Sequence, residues 1–308
     1  MKQIVITGAT SFIGNNLIKK FLEYDYYIYA VVRPNTKNIN SIIKHKNVEI
    51  IELSIEDMCE LSKFISGEIE FLFHLAWEGT RNPYRDNSII QEKNYKASIQ
   101  VIEEANKLGC KKFIGIGSQA EYGIGNEKVD ELSVTNPLTE YGKYKLNTKE
   151  SCEQIALKVN MKFIWARIFS VYGIHDNNKT LIMYCLRQML KNEEVLLTKC
   201  TQKWDFTYVD DVVNALFELA IQDCENGVYN ISSGNTKILS EFILEMKEIT
   251  NSKSKLSFGI VPCDVSNSVG FEPIVNKLKK ETGWEAKISF KKGVQELVKY
   301  MKNKEAEL

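Results

Sequence analysis

Tyr141 and Lys145 stand four residues apart in the stretch Tyr141-Gly142-Lys143-Tyr144-Lys145. On a helix, residues at that spacing lie on one face, one above the other. An ammonium held beside a phenol favours the phenolate and lowers the tyrosine's pKa. A tyrosine tuned in this way can give or take a proton at neutral pH, which a free phenol with a pKa of about 10 does poorly. The string is short and common, so its meaning rests on the elements that would position it.

Those elements begin at the N-terminus. Residues 3–7 (QIVIT) form a β-branched run that predicts a buried parallel strand. Gly8-Ala9-Thr10-Ser11-Phe12-Ile13-Gly14 follows, and then Leu17, Ile18, Phe21 and Leu22 recur at helical spacing. Strand, glycine turn and helix form the setting of a dinucleotide fingerprint: glycine lets the backbone approach a pyrophosphate, and the helix N-terminus offers free N–H groups. The literal GxGxxG is absent, since Ser11 takes the middle place, and an ordinary βα turn is the other reading. The second strand, Tyr27–Val32, ends in Val31-Val32-Arg33-Pro34, with no acid until Glu49. An acid there would bind a ribose 2′-hydroxyl, whereas an arginine accommodates a 2′-phosphate, so this end favours NADP over NAD.

Further strands are predicted at Val48–Leu53, Ile69–Ala76, Lys112–Gly117 and Met161–Arg167, and helices at 55–65, Asn94–Leu108 and from Tyr141 to about Val159. Trp77 and Glu78 follow the carboxyl end of the fourth strand, where open α/β sheets bind ligands. His74, inside that apolar run, reads as a packed, hydrogen-bonded core histidine. The alternation predicts a doubly wound parallel sheet over residues 1–172. Residues 173–308 read as a smaller interwoven lobe, with 204–230 returning to the sheet domain and substrate in the cleft between.

Composition narrows the classes. The 308 residues carry 40 Lys+Arg against 40 Asp+Glu, so no global field attracts nucleic acid or an anionic membrane. No apolar run approaches the roughly 20 residues that cross a bilayer. The seven cysteines (59, 110, 152, 185, 200, 224 and 263) and the three histidines (45, 74 and 175) are dispersed without CxxC spacing. Neither a disulfide framework nor a metal site is expected, and the chain reads as cytoplasmic and soluble.

Taken in order, TGATSFIG (7–14), HLA (74–76), Asn94, SQAEYG (118–123), Tyr141 with Lys145, RIFSVYG (167–173), WDFTYVDD (204–211), YNISSG (229–234) and GW (283–284) resemble the extended short-chain dehydrogenase/reductases. This is the NAD(P)-dependent epimerase/dehydratase family acting on nucleotide sugars, and the resemblance covers nearly the whole chain. It implies that Ser118, Tyr141 and Lys145 are catalytic. Tyr141 would exchange a proton with a substrate oxygen, Ser118 would hydrogen-bond that oxygen, and Lys145 would also hold the nicotinamide ribose. A strand-end serine satisfying backbone groups is the other reading of Ser118.

The resemblance further implies that Gly8, Thr10, Ser11, Phe12, Ile13 and Arg33 contact the cofactor. Leu53, Leu75, Ala76, Asn94, Ile168 and Phe169 would do so too. Trp77, Glu78, Ser118, Gln119, Ser170, Lys203 and Trp204 would contact substrate. A homodimer would form through the Asn94–Leu108 and Tyr141–Val159 helices.

The departures direct the choice of reaction. The family's 4,6-dehydratases carry Asp and Glu where this chain has Gln119 and Ala120, so dehydration is not expected. Glu121 lies one position further on and is given no role. The epimerase-reductases use Cys and His; the region just after Ser118 has no cysteine here, and His175 lacks a partner in the sequence. Ser170 stands at a common Asn, and Trp204 at a position that is often Arg. The expected activity is NADPH-dependent reduction of a CDP-, dTDP- or GDP-linked 4-keto-6-deoxy sugar. It resembles the CDP-abequose and CDP-paratose synthase-like 4-ketoreductases of surface-polysaccharide pathways. The alternatives are an NAD-dependent nucleotide-sugar 4-epimerase and a non-catalytic NADP sensor on the same scaffold.

Overall fold

The computed structural model describes residues 1–123, 128–262 and 270–306. In the first strand, β1 (Gln3–Thr7), Ile4 and Ile6 join one apolar cluster and Val5 joins another, all without solvent exposure. A strand apolar on both faces belongs in a parallel sheet covered by helices on both sides. The other strands of the central sheet are β2 (Tyr27–Val32), β3 (Val48–Glu52), β4 (Phe71–His74), β5 (Lys112–Ser118), β6 (Lys162–Ile168) and β7 (Gly227–Ile231). They form one parallel sheet in the order β7-β6-β5-β4-β1-β2-β3, the doubly wound α/β fold expected from the sequence.

The helices are α1 (Phe12–Leu22), α2 (Ser88–Lys107), α3 (Glu140–Lys158), α4 (Leu181–Leu190), α5 (Val209–Ile221), α6 (Leu239–Thr250), α7 (Asn276–Thr282) and α8 (Phe290–Ala306). Helices α1 and α5 pack together on the Ile4/Ile6 face, burying Leu17, Phe21, Leu216 and Leu219. The same cluster continues to Leu186 of α4, Ile243 of α6 and Leu297 of α8, so the C-terminal helices share a core with the sheet. Helices α2 and α3 pack side by side on the opposite face, over Val5, Leu72 and Phe113.

Three elements differ from expectation. Residues 55–65 form a 3₁₀ helix, Met58–Phe64, rather than an α-helix. Its buried residues, Met58 and Leu61, are three apart, the repeat of a 3₁₀ turn. Helix α2 starts at Ser88, where the Asn87 side chain accepts the Ile90 N–H at 3.2 Å, so Asn94 lies in its second turn rather than at its start. Strand β4 stops at His74, because the Ala76 N–H turns to the Thr7 hydroxyl (3.2 Å). No disulfide joins the described cysteines, and Cys263 lies outside the described residues. Among the described residues no helix is long and apolar enough to cross a membrane, and no group of three His, Cys, Asp or Glu side chains could hold a metal.

Candidate active site

From β1 the chain winds through β2 and β3 to one edge, then returns to β4 and winds to the other. The reversal leaves a crevice beyond the carboxyl ends of β1 and β4, where such sheets bind ligands. Gly8 stands there at φ +67°, and a Cβ on it would come within 2.7 Å of the Ala76 nitrogen. Ser11 caps α1, its hydroxyl accepting the Gly14 N–H at 3.1 Å. The middle position of the fingerprint thus serves the helix that would face a pyrophosphate. A cavity of about 560 Å³ opens beside this turn, with Val31, Leu53, Met58 and Leu75 as apolar walls and Arg33, Thr36 and Asn38 at the rim. A glycine cradle, a capped helix N-terminus and an apolar slot fit a dinucleotide's pyrophosphate and adenine. A second cavity of about 880 Å³ adjoins it, lined by Thr10, Ser11, Phe12, Tyr84, His175 and Asp176 among others.

A chain of hydrogen bonds fixes the ground under the crevice. The Ala76 N–H donates to Thr7 Oγ1, and the Thr7 hydroxyl donates to His74 Nδ1 at 2.8 Å. His74 Nε2–H donates to Ser98 Oγ at 2.9 Å, and the Ser98 hydroxyl donates to Asn94 O at 2.8 Å. Because Ser98 spends its proton on Asn94, the ring hydrogen must sit on Nε2. Burial, helped by the Lys145 charge, pushes the His74 pKa down to about 3, so the imidazole is a neutral core group, as the sequence predicts. The Asn94 side chain grips the Glu78 backbone twice, accepting from its N–H and donating to its carbonyl, both at 2.8 Å.

Ser118 ends β5, and Tyr141 and Lys145 occupy the first turns of α3, which begins where Thr139 Oγ1 accepts the Gly142 N–H (3.1 Å). The Ser118 hydroxyl stands near enough to the Tyr141 phenol to favour its ionised form. Lys145 Nζ donates to Ile116 O at 2.6 Å and lies 3.6 Å from the centre of the Trp77 indole. Burial lowers its pKa to about 7, against the opposing pull of Glu121. The phenol differs from the sequence-based expectation. Burial raises the Tyr141 pKa, Ser118 and the Arg85 charge pull it down, and Glu121 raises it further. The ammonium lies against the Trp77 indole and 5.9 Å from the phenol's ring centre, and it does not make this phenol acidic.

Glu121 is fully buried beneath this group. Its Oε1 accepts the Ser118 N–H (2.8 Å) and Trp165 Nε1–H (3.0 Å), and its Oε2 accepts Arg167 Nε–H at 2.7 Å. Gly117 makes this possible, since a Cβ there would collide with the Trp165 indole and the Glu121 carboxylate. Burial works against the Arg167 charge, but Glu121 prevails and raises its pKa. Glu121 therefore ties the end of β5, which carries Ser118, to Trp165 and Arg167.

The expected contacts divide among three cavities and positions outside them. Gly8, Thr10, Ser11, Arg33, Leu53, Leu75 and Ala76 line the dinucleotide-sized cavity. Trp77 and Glu78, expected on substrate, line the same cavity, and Glu78 Oε1 accepts from Arg33 Nη1 at 3.1 Å. Gln119 and Trp204 border a small cavity of about 50 Å³ with Arg85 and Thr139. Phe12 and Ile13 open α1, and Phe12 lines the larger cavity. Ile168 and Phe169 end β6, where Phe169 packs on Tyr122 and Phe271. Ser170 pairs with Phe206, and Lys203 Nζ meets Glu272 at 3.0 Å. His175 does find a partner, the Tyr300 hydroxyl at 3.2 Å. Arg85, whose guanidinium lies 4.8 Å over the Tyr141 ring, had no signal in the sequence, because it sits in a loop with no periodicity.

A family model described as "NAD dependent epimerase/dehydratase family" matches residues 4–232. CDP-abequose synthase of Salmonella muenchen is 29% identical over 314 residues, covering 96% of this chain and 97% of that protein. A putative UDP-glucose 4-epimerase of Methanocaldococcus jannaschii is 26% identical, covering 97% and 98%. Among solved structures, a UDP-glucose 4-epimerase from Thermotoga maritima with UDP-glucose superposes with a TM-score of 0.87 at 25% identity, over 98% of this chain and 99% of that one.

Proposed function

The chain belongs to the NAD dependent epimerase/dehydratase family, and from that premise we propose that it is an NADPH-dependent reductase of a nucleotide-linked 4-keto-6-deoxy sugar. The observation that carries this reading is the catalytic trio with nothing beside it to run a second reaction. Ser118 stands beside Tyr141 and Lys145 is buried nearby, while the neighbouring side chains, Gln119 and Ala120, can shuttle no proton. The full-length likeness to a CDP-abequose synthase supports it.

A reduced nicotinamide dinucleotide, when bound in the glycine-lined crevice, supplies the hydride. The chain's own residues do the rest. The Ser118 hydroxyl donates a hydrogen bond to the substrate's carbonyl oxygen, which orients it and favours negative charge there. The Tyr141 phenol gives its proton to that oxygen, which becomes the product hydroxyl, and the phenolate recovers a proton from solvent. Lys145 would hold the ribose hydroxyls once Trp77 moves off its ammonium. Gly8 and the α1 N-terminus bind the pyrophosphate. Arg33 is the residue available to a 2′-phosphate. We place the enzyme in the cytoplasm as a homodimer built on α2 and α3, in surface-polysaccharide sugar synthesis.

One observation favours a second reading, a 4-epimerase with tightly held NAD. Glu78 neutralises Arg33 at the rim of the cavity, which removes much of the attraction for a 2′-phosphate. The test is direct. Purified protein with NADPH and CDP- or dTDP-4-keto-6-deoxyglucose should consume reduced cofactor, and the Tyr141→Phe variant should lose at least about 100-fold of that rate. Bound NAD in the purified protein, with interconversion of UDP-sugars and no added cofactor, would make the epimerase the correct reading.

A further inference from the structure

We propose that Arg85 is a positioning residue for the Tyr141 phenol: its guanidinium packs on the face of the ring and stabilises the phenolate left when the proton has gone. The proposal rests on the reading of Tyr141 as the proton donor. Arg85 belongs to the short turn Tyr84–Asp86, in the loop between β4 and α2. That turn is tied down on several sides. Asp86 Oδ1 accepts the Glu140 N–H at 3.0 Å, fixing the turn to the start of α3. Gln91 Nε2 donates to Gly79 O at 2.9 Å and to Tyr84 O at 3.2 Å, fixing it to α2. Arg85 Nη1 donates to Thr80 O at 3.3 Å. The side chain is half-buried, and its guanidinium carbon lies 4.8 Å from the Tyr141 ring centre. A cation at that distance over a ring face is attracted to it, and more strongly when the ring carries negative charge.

Two charged groups act on the phenol, and a third lies nearby. Glu121, from the turn after β5, opposes ionisation, and Arg85 favours it. Lys145, from the same helix, lies farther off at 5.9 Å and is committed to Ile116 O and the Trp77 face. Glu140, next in the chain, spends its carboxylate on Lys143 at 2.7 Å, and Asp86 spends its own on the Glu140 N–H. The lysine titrates near neutrality, whereas a guanidinium stays charged throughout the working range. Arg85 is the cation that packs on the face of this phenol, 4.8 Å from its ring centre. It also borders the small cavity with Gln119, Thr139 and Trp204, so a substrate oxygen seated there would meet it as well.

The test reads the phenol without turnover. Chlorotyrosine, a more acidic phenol, is placed at position 141 of the full chain, and phenolate absorbance is titrated with Arg85 intact, Arg85→Gln and Arg85→Lys. Arg85→Gln should raise the midpoint by about one pH unit, and Arg85→Lys, which keeps the charge, by much less. A shift under about 0.3 unit in Arg85→Gln, with its unfolding midpoint unchanged, overturns the proposal. Equal shifts in both variants overturn it too, because lost packing would then be the cause. If the midpoint moves as expected while the pH profile of turnover does not, Arg85 still acts on the phenol, and it is Tyr141's role as proton donor that fails.

Discussion

Replacing Glu121 by Gln tests whether the floor of the site is held by charge. The change keeps size and removes one negative charge from a fully buried position. Glu121 Oε1 takes N–H bonds from Ser118 and Trp165, and Oε2 takes them from Trp165 and Arg167. Whichever way the new amide turns, its NH₂ faces a donor, so at least one buried donor loses its partner. The Arg167 guanidinium, only 3% exposed, is then left without a counter-charge. Breaking a buried pair on one side costs about 3–5 kcal/mol. For a chain of this size that corresponds to a fall in Tm of roughly 6–10 °C. The assay is thermal unfolding of the wild type, Glu121→Gln, Arg167→Met and the double variant. The double variant should be less destabilised than the two singles added together, by more than about 1 kcal/mol. A Glu121→Gln Tm within about 2 °C of wild type, or strictly additive losses, would refute the reasoning.

Other outcomes follow from the same geometry. Gly8→Ala puts a methyl within 2.7 Å of the Ala76 nitrogen at φ +67°, so it should cost about 1–3 kcal/mol and weaken NADPH binding at least tenfold in a fluorescence titration. Burial holds Lys145 near 7 in the folded chain against 10.5 when unfolded. Between those values the unfolded chain binds a proton that the folded one lacks, so this group's contribution makes stability rise with pH across that window. Lys145→Met should remove a rise on the order of 2 kcal/mol between about pH 7 and pH 9, read as the change in urea midpoint. Glu78→Gln frees Arg33 from an exposed ion pair and should tighten NADPH binding up to about fivefold while leaving NADH binding nearly unchanged, as measured by calorimetry.

The parts of the molecule that the sequence discloses are those governed by short-range rules. The β-branched runs became strands, and the glycine turn became the crevice, because period and turn chemistry act locally. The pairing of Tyr141 with Lys145 is a helical repeat and was legible for the same reason. What packs against the pair was not. Arg85 comes from a loop 56 positions before Tyr141, and Trp77 from the end of β4, and only the closed fold stacks them on the ring and the ammonium. The place of Glu78 was likewise hidden, because Asn94 turns it towards Arg33 through two backbone bonds. Glu121 has no role in the sequence reading, because its partners Trp165 and Arg167 lie on a strand some 44 residues later.

The seventh strand also bears on how the chain is made. β7 pairs with β6, yet about 60 residues of helix and loop separate the two in the chain. On a ribosome adding about 5–20 residues per second, six strands are available roughly 3–12 s before the seventh emerges. During that interval β6, apolar at Phe163–Ala166 and again at Ile168, is an open sheet edge able to pair with another nascent chain. Synthesis rate between residues 168 and 231 is therefore a lever on yield, and slowing it should favour aggregation over the native sheet.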